Sequence, residues 1–388
     1  MRALFRRRNE DNRPDLQVLS VYRDHGVVPR AGRDDNNNKL GDDLARYRVV
    51  RPGDLVLNKM KTWQGSLGVS DYEGIVSPAY FVAAQMGVAD SRYLHHLLRS
   101  RPLIAEYAAR SKGIRPAQWD LPWESFRQIV VRLPDHATQR RIADFLDAET
   151  ARVDKFVGQR LRMVDLLRER RSGLVEQSIR RLAASCPMMP LKRSTRRIEV
   201  GIVVTPSAWY AHAGVTAVRG VNVRPGGFDL SDVVYLTDEG HALHDKSVLR
   251  VGDVVVVRTG QAGAAAVVPE SLDGSNCIDL IIVRPGPALL PAYLEHVLNS
   301  DWTQKHIAAH SVGTIQSHFN VGAMKQLPVP VPPVELQREA VAEIDSASSR
   351  LDSIIDRMVD QVALMREHRE ALITAAVTGE IDVTRKAS

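Results

Sequence analysis

Two stretches of this chain repeat each other and decide how the protein is built. QRRIADFLDAETARVDKFVGQRLRMVDLLRERRSGL occupies residues 139–174, and QREAVAEIDSASSRLDSIIDRMVDQVALMREHREAL occupies residues 337–372. The shift between them is 337 − 139 = 198 residues. Because an internal period fixes architecture before local propensity does, the sequence predicts a molecule built twice, a pseudo-dimer in one chain. A partner with twofold symmetry would fit such a molecule.

The repeat extends upstream of the two stretches. Arg51-Pro-Gly-Asp54 matches Arg250-Val-Gly-Asp253 at a shift of 199, and Tyr93-Leu94 matches Tyr293-Leu294 at a shift of 200. The pattern predicts an α+β chain in which two α/β domains alternate with two long helices. The predicted boundaries are 1–134 and 186–332 for the domains, and 135–185 and 333–388 for the helical regions.

Composition narrows the class of protein. The net charge of +6 and the pI near 9.4 favour a polyanionic partner without establishing one. Cys186 and Cys277 make no disulfide framework, which predicts a reducing cytoplasm. No apolar run approaches the ~18 residues needed to span a bilayer, so we expect no membrane partner. The N-terminus has no apolar stretch typical of a signal peptide.

The helical regions carry an apolar seam at alternating steps of four and three residues. In the first it runs through Ile142, Leu146, Glu149, Val153, Phe156, Arg160, Met163, Leu167, Arg170 and Leu174. Adding 198 gives Ala340, Ile344, Ala347, Leu351, Ile354, Met358, Gln361, Met365, His368 and Leu372. Two helices of ~40 residues, each ~60 Å long, are predicted to pair as an antiparallel coiled coil. Two unrelated surface helices are the alternative.

Outside these regions the pattern is mixed. Residues 91–110 and 291–309 have helical spacing of apolar residues, while 55–57, 128–131, 215–218, 254–257 and 278–283 are strand-like. The first domain counts 51 − 1 = 50 residues before its Arg-x-Gly-Asp turn, and the second counts 250 − 190 = 60 from Pro190. We therefore expect the first domain to be short at its N-terminus.

No motif indicates catalysis. The chain lacks a phosphate-binding Gly-x-x-x-x-Gly-Lys loop and a Gly-x-Ser-x-Gly nucleophile elbow. Gly260 and Gly263 favour a hairpin over a phosphate cradle. His306 and His310 lack the Glu of a His-Glu-x-x-His zinc site, so a helical surface is the favoured interpretation. We expect no enzyme activity, cofactor or metal in this chain.

Polar and basic side chains recur at matched positions after the Arg-x-Gly-Asp turns. Arg and Lys pair with guanine edges or phosphates, and Gln and Asn pair with adenine edges. Solvated loops are the alternative for any one of them, but recurrence in both copies favours DNA contacts. The candidate DNA-binding residues are Lys59, Lys61, Trp63, Gln64, Lys112, Arg115, Arg258, Thr259, Gln261, Gln316, Ser317 and His318.

Four segments of the chain have the form of family motifs. Leu133-Pro-Asp-His-Ala-Thr-Gln-Arg140 and Pro332-Pro-Val-Glu-Leu-Gln-Arg338 open the helical regions, and the others are Leu372-Ile-Thr-Ala-Ala-Val-Thr-Gly-Glu-Ile-Asp382 and Arg250-Val-Gly-Asp-Val-Val-Val-Val-Arg-Thr-Gly260. In these segments the chain resembles the specificity subunits of type I restriction-modification systems. The family's usual Glu before the Gln is Thr138 in one copy and Leu336 in the other.

The resemblance implies two target recognition domains, each recognising half of a split site in double-stranded DNA. It implies helices that set the spacing and dock two methyltransferase subunits. Those subunits would bind S-adenosylmethionine and methylate adenine, and restriction/translocase subunits would join for cleavage. A non-catalytic interaction scaffold with degenerate DNA-binding domains is the alternative hypothesis.

Overall fold

A computed structural model describes residues 1–31, 43–113, 119–260, 262–309 and 319–383. The chain divides into two compact units. The first comprises Met1–Leu161 with Val359–Ser388, and the second comprises Arg162–Met358. No helix in the described ranges has the length and apolar character needed to cross a membrane.

The first unit is built on one antiparallel sheet. Its strands are β1 (Phe5–Arg8), β2 (Leu19–Tyr22), β3 (Gly26–Pro29), β4 (Arg48–Val50), β5 (Leu55–Asn58), β6 (Leu67–Val69), β7 (Gly74–Val76) and β8 (Tyr80–Gln85). Four of them form the sheet, in the order β1-β8-β5-β6, and β2-β3 and β4-β7 are separate pairs. Side chains alternate across β5, so Leu55 and Leu57 face the helices whereas Val56 faces the pairs.

Short helices cover one face of this sheet. They are α1 (Ser91–Leu98), α2 (Arg101–Arg110) and α3 (Trp123–Arg127), and the long helix α4 (His136–Ser185) follows them. The single helix predicted over residues 91–110 is wrong, because the chain breaks at Ser100. The buried Ser100 hydroxyl donates to Leu97 O at 2.7 Å, a local bond that competes with helix continuation. The strand predicted at 128–131 is also absent.

The second unit repeats the sheet with extra strands. They are β9 (Met188–Pro190), β10 (Thr195–Val200), β11 (Tyr210–Ala211), β12 (Val215–Val218), β13 (Val223–Arg224), β14 (Gly227–Phe228), β15 (Val234–Leu236), β16 (Val254–Val257), β17 (Ala265–Val267), β18 (Asn276–Cys277), β19 (Leu280–Pro285) and β20 (Pro328–Pro330). The main sheet has the order β10-β19-β16-β17, the counterpart of β1-β8-β5-β6. The other sheets have the orders β11-β15-β12-β18, β13-β14 and β20-β9.

The helices that follow α4 repeat the order of α1 to α4, except that α5 precedes them. They are α5 (Asp238–Leu243), α6 (Pro291–Asn299), α7 (Asp301–Ala309), α8 (Val321–Gln326) and the long α9 (Val334–Thr378). The helix predicted over 291–309 breaks at Ser300, whose hydroxyl donates to Val297 O at 2.7 Å. The break therefore lies at the same place in both units, 200 residues apart.

A long helix lies at each of the two predicted places, as α4 and α9. Burial along both alternates in steps of four and three residues, but the predicted seam is wrong at several positions, among them Glu149, Met163 and Ile354. Thr150 is buried where Glu149 was predicted, and Val164 is buried whereas Met163 is 45% exposed. In α9, Ile355 is buried whereas Ile354 is exposed. At these positions the buried residue is the next one along the chain.

Each α/β domain is joined to its long helix by one buried glutamine. In the first unit Gln139 accepts a hydrogen bond from Asp90 N at 2.9 Å and donates to Pro134 O at 2.8 Å. In the second unit Gln337 accepts from Leu290 N at 2.9 Å, and its Nε2 donates to Ala288 O at 2.8 Å and Pro332 O at 2.7 Å. These bonds fix the start of the long helix against the domain within each unit.

The difference in length between the two domains lies inside them. β1 pairs with β8 at the sheet edge as β10 pairs with β19. Before β1, Arg2 N donates to Arg127 O at 3.0 Å, and before β10, Leu191 N donates to Leu327 O at 2.9 Å. From the edge strand to the Arg-x-Gly-Asp turn the counts are 51 − 5 = 46 and 250 − 195 = 55 residues. Counted from its start, the first domain is ten residues shorter than the second. Nine of these ten residues are accounted for between the start of the edge strand and the Arg-x-Gly-Asp turn, whereas the sequence predicted a short N-terminus.

Candidate nucleic-acid interface

In the first unit the candidate residues follow the central strand β5. A tight loop begins at Lys59, and it is fixed by the Thr62 hydroxyl, which donates to Asn58 O at 2.6 Å. The indole of Trp63 donates to Met60 O at 2.9 Å. Lys61 and Gln64 are exposed, whereas Lys59 and Trp63 are half-buried. The loop is therefore ordered by side-chain hydrogen bonds to its own carbonyls, and it presents Lys61 and Gln64 to solvent.

The second candidate loop of this unit lies against the first. Leu121 N donates to Lys59 O at 3.1 Å, and Lys112 pairs with Asp120 through two main-chain hydrogen bonds of 2.9 and 2.8 Å. The rings of Trp63 and Trp119 lie 5.2 Å apart between centroids. The structure thus brings Lys59, Lys61, Trp63 and Gln64 together with the loop that contains Lys112, and Lys112 itself is exposed.

In the second unit the same main-chain hydrogen bond between the two loops recurs, but the side chains around it differ. Arg258 follows β16 as Lys59 follows β5, and Phe319 N donates to Arg258 O at 2.9 Å. The Arg258 guanidinium pairs with Asp279 at 3.2 Å, and the Thr259 hydroxyl donates to the same carboxylate at 3.1 Å. Asp279 adopts a left-handed backbone conformation with φ +52°. The cation predicted to face DNA is therefore held by a carboxylate and is mostly buried.

Several candidates cannot be placed. Arg115, Gln261, Gln316, Ser317 and His318 lie outside the described residues. Their predicted roles in DNA contact stay predictions.

The Arg-x-Gly-Asp turns set the direction of both central strands. Gly53 and Gly252 have φ of +87° and +82°, a backbone conformation that favours glycine. The buried Asp54 accepts from Arg51 N and pairs with Arg8 at 2.8 Å, and burial raises the pKa of its carboxyl. Asp253 accepts from Arg250 N in the same way, but it holds Arg284 through two bonds of 2.7 Å.

Residues that the sequence analysis missed also lie at the first strand end. The ammonium of Lys59 lies 4.6 Å from the centroid of the Phe81 ring, and the guanidinium of Arg7 lies 4.8 Å from the same centroid. Burial lowers the pKa of Lys59, and the positive charge of Arg48 lowers it further. The run Phe5-Arg-Arg-Arg8 was the one sequence signal for this cluster, and periodicity alone could not connect it to Lys59.

The arrangement can contact a polyanion. Exposed ammonium and amide groups beside two tryptophan rings suit phosphates and base edges. Among the described residues, no cluster of three or more His, Cys, Asp or Glu side chains could hold a metal ion.

Comparison with known proteins points to one class, the specificity subunits of type I restriction enzymes, and confirms the resemblance found in the sequence. The StySPI specificity subunit of Salmonella potsdam is 22% identical over 173 residues, which cover 42% of this chain and 36% of the relative. The EcoBI specificity subunit of Escherichia coli is 23% identical over 171 residues, covering 43% and 36%. The chain thus matches little more than a third of the length of these curated relatives.

The fold has a solved counterpart. A chain from a study of complex assembly and conformational transition of the type I R-M system has a TM-score of 0.67 and 17% identity, and the match covers 96% of this chain and 95% of that one. At this identity the likeness concerns the fold, which is mixed helix and strand in both. No family model matches the chain.

Proposed function

We propose that this chain is the DNA-sequence-recognition subunit of a type I restriction-modification complex. Residues 1–134 and 186–332 would each recognise one half of a bipartite DNA target. Residues 135–185 and 333–388 would dock two methyltransferase subunits. The chain would itself be non-catalytic.

One observation carries this proposal. In both units a candidate loop follows the central strand and is hydrogen-bonded through its main chain to a second loop, by Leu121 N to Lys59 O and by Phe319 N to Arg258 O. The main-chain hydrogen bond is the same in both units, but the side chains of the loops differ. A common scaffold with different loop side chains is what two domains need if they recognise different sequences.

We further propose that α4 and α9 pair as an antiparallel coiled coil with pseudo-twofold symmetry. In the second unit Arg171 pairs with Asp352 at 2.6 Å, and Arg181 pairs with Glu343. The partner's residue number falls along α9 as the residue number rises along α4, which is the order of an antiparallel pair. In the first unit Asp154 pairs with Arg369 at 3.0 Å. These ion pairs support one antiparallel register within both units.

The partners follow from this proposal. The methyltransferase subunits would supply S-adenosylmethionine and the catalytic groups, and restriction/translocase subunits would complete the nuclease. The complex would act in the cytoplasm. Free thiols at Cys186 and Cys277 are compatible with that compartment.

The test is reconstitution with the cognate methyltransferase subunit. The complex is incubated at about 0.2 M salt with a random-sequence duplex library, because phosphate contacts alone give affinity without sequence preference. Sequencing of modified adenines should yield one bipartite motif. A complex that assembles but modifies all sequences equally would contradict the proposal and favour the scaffold hypothesis.

Lys59→Ala tests the first strand-end loop. If Lys59 contacts a base edge, the variant should lose about 1–3 kcal/mol of binding free energy and relax one position of one half-site. A loss that is uniform over sequences would indicate a phosphate contact instead. Lys192→Ala, which removes an exposed lysine outside the loops, is the control. Unchanged affinity and motif in Lys59→Ala would remove this residue from the interface.

A further inference from the structure

Two arginines outside the candidate loops lie beside Lys59 in the first unit. Arg7 lies on the edge strand β1, and its guanidinium covers the Phe81 ring that Lys59 also contacts. A guanidinium stacked on a ring keeps its N–H donors in its own plane, where they can still bind an anion. The ring thus holds Arg7 in place without using its donors.

Arg48 is the third cation of this group. Its Nη1 donates to Asn9 Oδ1 at 2.9 Å, which ties it to the residue that follows β1. The charge of Arg48 lowers the pKa of Lys59. Burial lowers the pKa of Arg48 itself, and the charge of Arg7 lowers it further. The three positive charges are therefore close enough to repel one another.

Within the part of the chain that the structure describes, none of the three cations forms an ion pair with a carboxylate, although the charge of Asp120 raises the pKa of Lys59 and that of Asp11 raises the pKa of Arg48. Other arginines of the unit are paired there: Arg8 with Asp54 at 2.8 Å and Arg51 with Glu10 at 2.8 Å. Clustered like charges destabilise a folded domain, and an anionic partner would remove that cost. A basic cluster at the end of the candidate surface is the electrostatic pattern expected for nucleic-acid binding.

The second unit lacks this cluster at the matched positions. By strand register the counterpart of Arg7 is Ile198, a buried core residue. Arg48 corresponds to Ser247, which is buried and accepts a hydrogen bond from Asn276. Lys59 corresponds to Arg258, which is paired with Asp279. Among the described residues, the second unit therefore has no equivalent group at these three positions.

We propose that Arg7 and Arg48 bind backbone phosphates of duplex DNA beside Lys59. The first domain would then supply a sequence-independent anchor that the second domain does not duplicate. This inference rests on the proposed function, because it assumes that the strand-end surface faces DNA. It extends that surface to two residues outside the candidate loops.

The test measures the salt dependence of binding. The full chain, reconstituted with its methyltransferase subunit, is titrated onto a labelled 30-base-pair mixed-sequence duplex between about 0.05 and 0.3 M salt. Each phosphate contact contributes roughly 0.9 to the slope of log affinity against log salt concentration. The double variant Arg7→Gln/Arg48→Gln should therefore reduce the slope by about 1.8.

Two matched variants keep the result interpretable. Arg6→Gln/Arg46→Gln removes the same net charge from exposed arginines near the same strands and should leave most of the slope unchanged. Arg7→Lys/Arg48→Lys keeps the charge and should retain most of it. Circular dichroism shows whether each variant is folded. An unchanged slope in the glutamine variant, or an equal fall in the control, would overturn the inference.

The outcome is separable from that of the proposed function. If adenine modification shows a bipartite motif and the slope is unaffected, only the anchor is wrong. If the slope falls as expected but no sequence is preferred, the anchor stands and the proposed specificity fails.

Discussion

The joints between domain and helix are nearly identical in the two units, whereas the strand-end surfaces are not. Gln139 and Gln337 make equivalent bonds, and Asp54 and Asp253 cap equivalent turns. At the strand ends, however, the first unit presents a cation on an aromatic ring, and the second holds its cation against Asp279. The repeated residues are those that hold the domains in place, and the residues that differ are those that could meet a ligand.

The largest expected effect concerns the aspartates of the Arg-x-Gly-Asp turns, because the ion pair of Asp253 has two hydrogen bonds and that of Asp54 has one. Removing one partner of a buried pair costs about 3–5 kcal/mol, because the remaining charge is left uncompensated. Arg284→Met should destabilise the second unit by about 3 kcal/mol, since Asp253 loses two bonds of 2.7 Å. Arg8→Met breaks a single bond and should cost about 1 kcal/mol.

Urea unfolding followed by hydrogen exchange in β16 and β5 would measure these losses separately. Equal losses in the two units would show that the bidentate geometry contributes nothing.

A smaller difference is expected at the glutamine joints. Gln337→Ala leaves one main-chain N–H and two carbonyls without their partner and should cost about 3 kcal/mol. Gln139→Ala removes two such bonds and should cost about 2 kcal/mol. Thermal unfolding of both variants is the measurement, with Gln159→Ala on α4 as the control. A greater loss for Gln139→Ala would reverse the comparison.

The smallest effect depends on pH and is tested at Asp147 in the first unit. The hydrogen bond from His96, and then the charges of His96 and Arg92, lower the pKa of its carboxyl from the ordinary 3.8. A lowered pKa in the folded state stabilises the protein above the unfolded value, and this stabilisation is lost as pH falls through the folded value.

Asp147→Asn should therefore be slightly less stable than the parent at pH 6, with the difference shrinking towards pH 3. Guanidinium unfolding at both pH values tests it. A difference that stays constant with pH would mean that the contact stabilises the protein without the carboxylate charge.

The sequence predicted the fold where a pattern repeats and failed where single contacts decide. Both long helices were predicted from their period. From Leu351, however, a step of three ends at Ile354 and a step of four ends at Ile355, and both residues are apolar. Packing selects Ile355, so the predicted seam was wrong at this position. The breaks at Ser100 and Ser300 depend on buried hydroxyl bonds that helical spacing does not reveal.

The residues of the candidate surface were likewise predicted only where the repeat marks them. The repeat led to Lys59, Trp63 and Lys112, because each follows a matched element. Arg7 and Arg48 lie 41 residues apart in the chain (48 − 7 = 41) and belong to different strand pairings. Only the folded sheet brings them beside Lys59, so no window of sequence could have grouped them.

The glutamine joints have a consequence for how this chain can vary. The side chains of Gln139 and Gln337 form their hydrogen bonds with main-chain atoms of the segments they hold. The side chains of those segments are therefore not constrained by the joint, and Asp90 in one unit is indeed Leu290 in the other. A saturation-mutagenesis map should show wide tolerance at the exposed position 288 beside strict intolerance at 337 and at the core residue Leu289. Such a joint lets a domain accumulate substitutions while its attachment stays the same.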